Sequence, residues 1–458
     1  MSIQSAIDAL RPHFGDRLST ADAILEQHGR DEAWHAPHPP DAVLWPHSTE
    51  EVSLIARTCH EHDCPIVAWG AGTSLEGHVI PVQGGVTLDF TQMDKVLEIH
   101  PEDMDVVVQP GITRKRLNEE LRDTGLFFPI DPGADATIGG MAATRASGTC
   151  AVRYGTMRES VLGLEVVLAD GRVIRTGSRA KKSAAGYDLT KIFVGSEGTL
   201  GIITEVTVRL HGVPEATSAA ICAFETTEDA VNTAIQTIQI GIPIARIEYL
   251  DGPSMNIVNV QSKYDMKECP TLFMEFHGSE AGVAEQSEMV AEIAAENGGS
   301  DFQWTTKTED RNRLWAARHN FAYAFGHQFP GKRFLVTDAC VPISRLADCI
   351  AETEEDAASS PLFVSIVGHV GDGNFHGTVA LDPDNPEDVA EAQRLSDRLA
   401  LRTLEMGGTV TGEHGIGLGK KKFMAREHGE DAWALMGDIK KAFDPSGILN
   451  PGKLLPGN

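Results

Sequence analysis

Residues Gly368-His369-Val370-Gly371-Asp372-Gly373-Asn374-Phe375-His376 carry two histidines seven positions apart, with Gly, Asp, Gly and Asn between them. That composition makes a turn, and apolar strand candidates at 363–370 and 377–381 flank it. A hairpin there brings His369 and His376 toward one another. Two imidazoles converging across a glycine-rich turn suit a pair of metal ligands; the alternative is a pair of hydrogen-bonded core histidines. The second constellation is Gly412-Glu413-His414-Gly415-Ile416-Gly417. Glu413 completes a two-histidine, one-carboxylate site with open positions. His414 then stands beside the ion as a general base. The alternative for Glu413-His414 is a solvated loop.

A different chemistry is written in the first third of the chain. Gly70-Ala71-Gly72-Thr73-Ser74 directly follows the apolar strand candidate Ile66–Trp69. Small backbones with free N–H groups after a buried strand make an anion nest suited to a diphosphate. The bland reading of the same residues is an ordinary strand-to-loop turn. A second small-residue cluster holds Pro132, Asp135, Thr137, Gly139 and Gly140, and runs on through Ala143, Ser147 and Gly148 to Tyr154. Two such loops suggest a dinucleotide bound without a Rossmann unit. The sequence has no GxxxxGK[ST] motif, and Gly70-Ala71-Gly72 lacks the third glycine of the Rossmann fingerprint.

The elements that position these residues fall into two textures. Residues 1–40 are a helical lead-in. A capping-box pattern, Ser48 with Glu51, opens a helix over 48–62. Strand candidates follow at 86–89, 96–100 and 106–109, with a helix at 113–124. The stretch 128–156 has little periodicity, as functional loops do. Strands at 164–169 and 172–176 read as a hairpin across Asp170-Gly171, and segments 193–200 and 202–210 close the region. After residue 213 the texture becomes α+β, with strands at 219–224, 244–250, 272–276 and 334–341 and helices at 228–239, 308–325 and 387–406. The expected organisation is a cofactor-binding domain over 1–213, a substrate and metal-binding domain over 214–443 with a mixed or antiparallel sheet, and a tail over 444–458 that returns to the first domain.

Composition narrows the function classes. The chain has 458 residues, enough for two to four domains. Lys plus Arg is 39 and Asp plus Glu is 66, a net charge of −27. That balance argues against unaided binding to nucleic acid or an anionic membrane. Hydrophobic residues at 41% and charged residues at 23% fit a globular domain rather than a disordered one. No run approaches 18 apolar residues, so no membrane span is expected. The N-terminus, MSIQSAIDALRPHF, lacks the layout of a signal peptide. Seven cysteines without a CxxC fit reduced thiols in a cytoplasm.

Seven segments in order, VAWGAGTSLEG, DPGADATIGGMAATRASG, VGSEGTLGIITEVTVRL, TDACVPISRL, GHVGDGNFH, TGEHGIGLGK and DPSGILNPGK, run from about Pro46 to Pro456. Together they resemble the FAD-linked oxidase/dehydrogenase superfamily of the vanillyl-alcohol oxidase type, in its D-2-hydroxyacid dehydrogenase branch. The resemblance implies an α+β fold, with a two-part FAD-binding domain and an α+β cap domain. It implies that residues 70–74 and 132–148 hold the FAD, that Glu197, Gly198 and Ile203 line its adenine and ribose end, and that Asn450 in the returning tail reaches the flavin. It gives His369, His376 and Glu413 as ligands of one divalent metal, zinc or manganese, and His414 as catalytic base and substrate contact. It also singles out Arg318 as the partner of the substrate carboxylate, whereas Arg311 and Arg313 on the same helix read as a solvated face. Members with covalent flavin carry a histidine in the first glycine loop. Here that loop reads GAGTSLEG, so non-covalent FAD is expected.

The implied reaction is oxidation of a small D-2-hydroxy acid, D-lactate to pyruvate, by metal-assisted proton abstraction and hydride transfer to FAD. Relatives acting on 2-hydroxyglutarate carry a Lys two residues before the aspartate matching Asp338; Val336 stands there in this chain. Its lack of charge favours a monocarboxylate. Electrons pass to a separate acceptor, cytochrome c or a quinone-linked carrier, since no haem or iron–sulfur motif is present. The chain is then cytoplasmic, or peripheral to the inner membrane through its acceptor, with a homodimer left open. The alternatives are glycolate or D-2-hydroxyglutarate dehydrogenases of the same branch, a non-redox alkyl transferase of the same fold, and a binding module without catalysis.

Overall fold

The computed structural model describes residues 2–262, 265–319 and 321–456. Met1, residues 457–458 at the end of the expected tail, and residue 320 within the expected helix 308–325 lie outside the described residues. The chain forms two units, one from residues 2–147, 155–213 and 413–456, the other from 148–154 and 214–412.

The first unit has two main sheets. In one, the strands run in the order Leu18–Ser19, Ala42–Leu44, Val86–Asp89, Ile66–Trp69. The last three are parallel, with Ile66 opposite Val86 and Trp69 opposite Asp89. Their short, mostly apolar and mostly buried runs are what a strand covered on both faces requires. Helices Ile3–Phe14 and Thr49–His62 cover this sheet through Ile7, Leu10, Val52 and Ile55. Ser48 caps the second of these helices as its sequence predicts, accepting from Glu51 N–H. The Glu51 carboxylate does not close the box; it takes the Arg17 guanidinium and the His47 N–H. The tail adds to this sheet, with Leu449 bridged to Ile66 and Asn450 N–H donating to Ile66 O.

The other main sheet of this unit is antiparallel, in the order Val96–His100, Asp105–Val108, Ile202–Arg209, Val161–Val167, Val173–Gly177. The expected hairpin across Asp170-Gly171 is present, with Val167 opposite Val173. Residues 193–200 make no strand: Phe193 ends a helix, Leu189–Phe193, and turns follow, because Gly195, Glu197 and Gly198 all take positive φ. The stretch read as loop, 128–156, contains the short helices Ile138–Thr144 and Ala151–Tyr154.

The second unit is built on one antiparallel sheet in the order Ser300–Thr305, Ala216–Ala223, Thr271–Gly278, Ile244–Leu250, Val364–His369, Asn374–Leu381, Arg333–Val336. The period-2 alternation of strands is visible in its cores. Ala220, Cys222, Ile247, Tyr249, Leu272 and Met274 face one cluster, while Ala219, Ile221, Leu250 and Phe273 face the other. Helices Thr227–Ile240, Glu280–Glu296 and Leu346–Ser359 pack on the first side. The expected helix 308–325 is two helices, Thr308–His319 and Phe321–Gln328.

Two segments differ from the expected domain bounds. Residues 413–443 belong to the first unit, because helix Glu430–Phe443 sets Ile439 and Phe443 against its core. Residues 148–154 belong to the second, where Val152 packs on the core and Arg153 donates to the carbonyls of Pro243 and His277.

Candidate active site

In the second unit, the turn Val370–Gly373 closes the hairpin between Val364–His369 and Asn374–Leu381. Gly373 takes a φ of +84°, and a Cβ there would sit 2.2 Å from Val341 O, so only glycine fits. The register sets His369 opposite Asn374 and Val367 opposite His376. His376 is two residues beyond Asn374, so both histidines share one face. Their ring centroids are 5.4 Å apart, and each offers a ring nitrogen within 4.8 Å of the other's.

Both rings are anchored through Nδ1. His369 Nδ1 meets Glu248 Oε1 at 2.6 Å, and His376 Nδ1 meets Thr337 O at 3.1 Å and Asp338 Oδ1 at 3.5 Å. A neutral ring that donates through Nδ1 carries its lone pair on Nε2, the arrangement of metal-ligating histidines with an oriented outer shell. These residues therefore fit a divalent cation. Imidazole ligands suit several first-row ions. Asp338 is itself fixed, accepting from Asn374 Nδ2 at 2.7 Å and Thr411 Oγ1 at 2.6 Å.

Glu248 lies at the centre of this arrangement. The register sets Tyr249 opposite Gly368, and the neighbouring side chains of Glu248 and His369 meet. Its side chain is fully buried, and its second oxygen, Oε2, meets Arg318 Nη2 at 2.7 Å. Arg318, on helix Thr308–His319, is the carboxylate partner expected from the sequence. Its Nε–H is buried and has no hydrogen-bond partner among the described residues. A buried donor left open in this way awaits an acceptor. The second unit thus brings together His369, His376 and Arg318. Sequence reasoning missed Glu248 because one glutamate inside IARIEYL reads as a strand interruption. Its signal is an acid at an inward position of a strand whose other residues are mostly buried.

At Thr411–Gly412 the chain passes close by Asn374, where a Cβ on Gly412 would lie 2.3 Å from Asn374 Nδ2. Glu413 and His414 come next and open the last segment of the first unit, with 3.9 Å between Glu413 Oε1 and His414 Nε2. Gly415 and Gly417 have φ of +81° and +47°. The loop they make is held by Glu197, which accepts from Ile416 N–H at 2.7 Å and Gly417 N–H at 2.9 Å. Glu197 also meets His78 Nε2 at 3.3 Å. Burial pulls the His78 pKa down, but Glu197, Glu76 and Asp31 outweigh it and hold it above the usual imidazole range. Burial pushes the Glu197 carboxyl up, and His78 with the two N–H donors brings it below the usual range. Nearby burial raises Asp31 to about 6 and lowers Lys453 to about 8. His78 was missed by one position, since it follows the glycine-loop segment that ends at Gly77.

The proposed cofactor residues of the first unit form one cradle and one scaffold. Among the described residues, no hydrogen bond is made by the backbone N–H groups of Ala71, Gly72, Thr73 and Ser74. Gly72 takes a φ of +67°, and a Cβ on Gly70 would sit 2.3 Å from Thr137 Oγ1, so the two glycine loops meet there. Thr137 caps the helix carrying Gly139, Gly140 and Ala143. Gly139 needs its missing side chain because Pro110 Cβ is 2.4 Å from where a Cβ would stand. Pro132 and Asp135 are half-buried in the same loop, Asp135 accepting from Lys115 N–H. A run of open N–H donors between close-packed glycines fits a diphosphate. The scaffold is the rest. Asn450 donates to His78 O and Glu197 O and accepts from Lys453 Nζ, which commits its amide to protein partners. Gly198 lies beside it, Ile203 is in the core, and Ser147 is buried. Gly148 and Tyr154 are in the second unit, where the Tyr154 hydroxyl meets His277 Nδ1 at 2.7 Å.

Comparison with known proteins identifies the family. Residues 40–177 match a family described as an FAD binding domain, and residues 213–454 match the family of FAD linked oxidases, C-terminal domain. A protein from Danio rerio named probable D-lactate dehydrogenase, mitochondrial, is 51% identical over 99% of this chain and 92% of its own length. One from Arabidopsis thaliana named D-lactate dehydrogenase [cytochrome], mitochondrial, is 45% identical over 98% of this chain and 80% of its own. A glycolate oxidase subunit GlcD from Bacillus subtilis is 36% identical over 91% of this chain and 89% of its own. The solved structure of p-cresol methylhydroxylase shares the fold, with a TM-score of 0.82 at 20% identity over 98% of this chain and 96% of that one. No helix among the described residues is long and apolar enough to cross a membrane. The chain belongs to the FAD-linked oxidases, in the D-2-hydroxyacid dehydrogenase branch, with proteins named D-lactate dehydrogenase among its similar relatives.

Proposed function

We propose that this protein is an FAD-dependent dehydrogenase that oxidises D-lactate to pyruvate and passes the electrons to a cytochrome-type acceptor. The single observation that carries the site is the Arg318–Glu248–His369 line beside His376: an open carboxylate-binding donor next to a cation-ready histidine pair. The similarity to named D-lactate dehydrogenases supports the substrate. When bound, FAD supplies an electron-pair acceptor for the Cα–H bond, and a divalent cation, zinc or manganese, lowers the pKa of the substrate hydroxyl.

The protein's own residues do the rest. Arg318 receives the substrate carboxylate at its open Nε–H and so fixes the orientation of Cα. His369 and His376, which offer ring nitrogens within 4.8 Å of one another, are the proposed imidazole ligands of the cation, and Glu413 is the carboxylate proposed to complete the set. His414 takes the hydroxyl proton at a ring nitrogen as the C–O bond gains double-bond character. Glu197 keeps the loop that carries it in place through Ile416 and Gly417. Ala71 to Ser74 hold the FAD diphosphate through backbone donors, without a covalent link. Val336, half-buried on strand Arg333–Val336, brings no second cation, which favours short monocarboxylates over D-2-hydroxyglutarate. The seven thiols fit a reducing compartment, with the cytoplasm as the proposed location; the mitochondrial label belongs to the named relatives.

A substrate panel read by anaerobic bleaching of the flavin band tests the proposal. D-lactate should bleach it fastest. Bleaching by glycolate or D-2-hydroxyglutarate at higher efficiency would assign a different member of the branch, and no bleaching by any hydroxy acid would contradict the function.

A further inference from the structure

We infer that Glu248 is a positioning residue for this reaction: one buried carboxylate orients the substrate-binding guanidinium of Arg318 with one oxygen and the cation-binding imidazole of His369 with the other. The inference rests on the proposed function and deepens it, since it assigns a residue that touches neither substrate nor cation.

The geometry is specific. Glu248 Oε1 lies 2.6 Å from His369 Nδ1, and Oε2 lies 2.7 Å from Arg318 Nη2. The Glu248 side chain has no solvent exposure, and those of Arg318 and His369 have only 12% and 10%. Three strands and a helix set this up. Glu248 is on the strand Ile244–Leu250, next in the sheet to Val364–His369, which pairs in turn with the strand carrying His376. Arg318 comes from helix Thr308–His319, on the sheet face that buries Leu250 and Val367.

Each oxygen has a separate consequence. A carboxylate at Nδ1 accepts that proton and fixes the tautomer in which Nε2 of His369 carries the lone pair a cation needs. The carboxylate at Nη2 occupies one end of the guanidinium and leaves the buried Nε–H for an incoming carboxylate. A planar guanidinium held at one edge cannot rotate away from its ligand, so orientation is settled before substrate arrives. Because one rigid group does both tasks, the position of the substrate carboxylate and that of the cation are set relative to each other. A glutamine cannot replace it. Its amide has one acceptor oxygen, so it leaves either Arg318 or His369 facing an N–H donor. Where it donates to His369 Nδ1, the proton moves to Nε2 and ligation ends.

The test uses the FAD-loaded protein and its Glu248→Gln and Glu248→Asp variants. Three quantities are read: Mn²⁺ or Zn²⁺ affinity by titration and elemental analysis, the D-lactate KM and kcat, and the thermal midpoint. For Glu248→Gln, cation affinity should fall about 10–100-fold, or the D-lactate KM should rise by a similar factor, with FAD content retained and the melting transition still cooperative. Excess cation should restore kcat more fully than KM, because it refills the ligand site but does not reorient Arg318. Glu248→Asp keeps the charge but is one methylene too short to span both partners, so it should lose at least one of the two affinities. It decides the matter if the glutamine variant does not fold. Cation affinity and KM both within twofold of wild type in a folded variant would overturn the inference and leave Glu248 as a buried counter-charge only. If the wild-type protein itself bound no cation, or D-lactate did not reduce its flavin, the proposed function would fail first, before any variant was compared.

Discussion

At the scale of single residues, the chemistry divides between groups that act and groups that hold them. His414 is an actor in the proposed reaction: a positioned base contributes roughly 10²–10⁴-fold in rate. His414→Asn keeps a polar side chain and cannot take a proton. It should retain FAD and cation and slow flavin reduction by roughly 100-fold or more, measured by stopped flow. Loss of cation together with activity would make His414 a ligand instead. His78 and Glu197 are holders, and their pKa shifts predict a pH dependence of stability. The raised His78 value contributes stability that is present below its unfolded pKa of about 6.5 and is lost as pH rises through its folded value. The lowered Glu197 value contributes stability above an unfolded pKa of about 4.3 that is lost as pH falls through its folded value. His78→Gln should therefore cost most between those limits. The gap to wild type in urea unfolding should shrink as pH rises above neutrality; a constant gap would contradict the pairing.

At the scale of elements, the hairpin and the glycine loops do the positioning. The turn at Val370–Gly373 works because Gly373 adopts a left-handed backbone against Val341 O. Gly373→Ala should cost roughly 1–2 kcal/mol from the backbone alone, more from the displaced Val341 segment, and should weaken cation binding by moving His369 relative to His376. Elemental analysis and thermal unfolding check this, and unchanged cation content would show that the turn does not set the pair. This hairpin was legible because turn composition and flanking strands agreed. So were the cap at Ser48 and the strand Ile244–Leu250, whose bounds match the expected 244–250. Residues 193–200 were not legible as turns. They were read only as a segment that closes the region, and the positive φ at Glu197 goes with the hydrogen bonds to Ala143 O and the 415–417 loop, which no local pattern shows. Glu248 was hidden for a similar reason: its partners, Arg318 and His369, are 70 and 121 residues away.

At the scale of the whole molecule, cofactor and cation motifs are separate in the chain, and their occupancies should be separable in solution. His376→Ala should lose the cation and turnover while keeping FAD, since the open N–H groups of Ala71 to Ser74 lie in the other unit. Full cation occupancy in that variant would remove His376 from the ligand set. Acid or heat should release intact FAD from the wild-type chain, because the loop ending at Gly77 offers backbone donors and no attached flavin is needed to fill it; flavin retained on the precipitate would contradict this. The fold class could be read from ordered motifs, whereas the division into units could not. The chain enters and leaves each unit more than once, and only packing reveals that 148–154 and 413–443 belong where they do. The central claim is the oxidation of a short D-2-hydroxy acid at a site anchored by Arg318, and anaerobic stopped-flow reduction of the bound flavin tests it most directly. D-lactate should reduce the flavin in a saturable phase, with L-lactate inert and D-2-hydroxyglutarate less efficient. Reduction by L-lactate at a comparable rate, or a flavin that stays oxidised with D-lactate, would contradict the account.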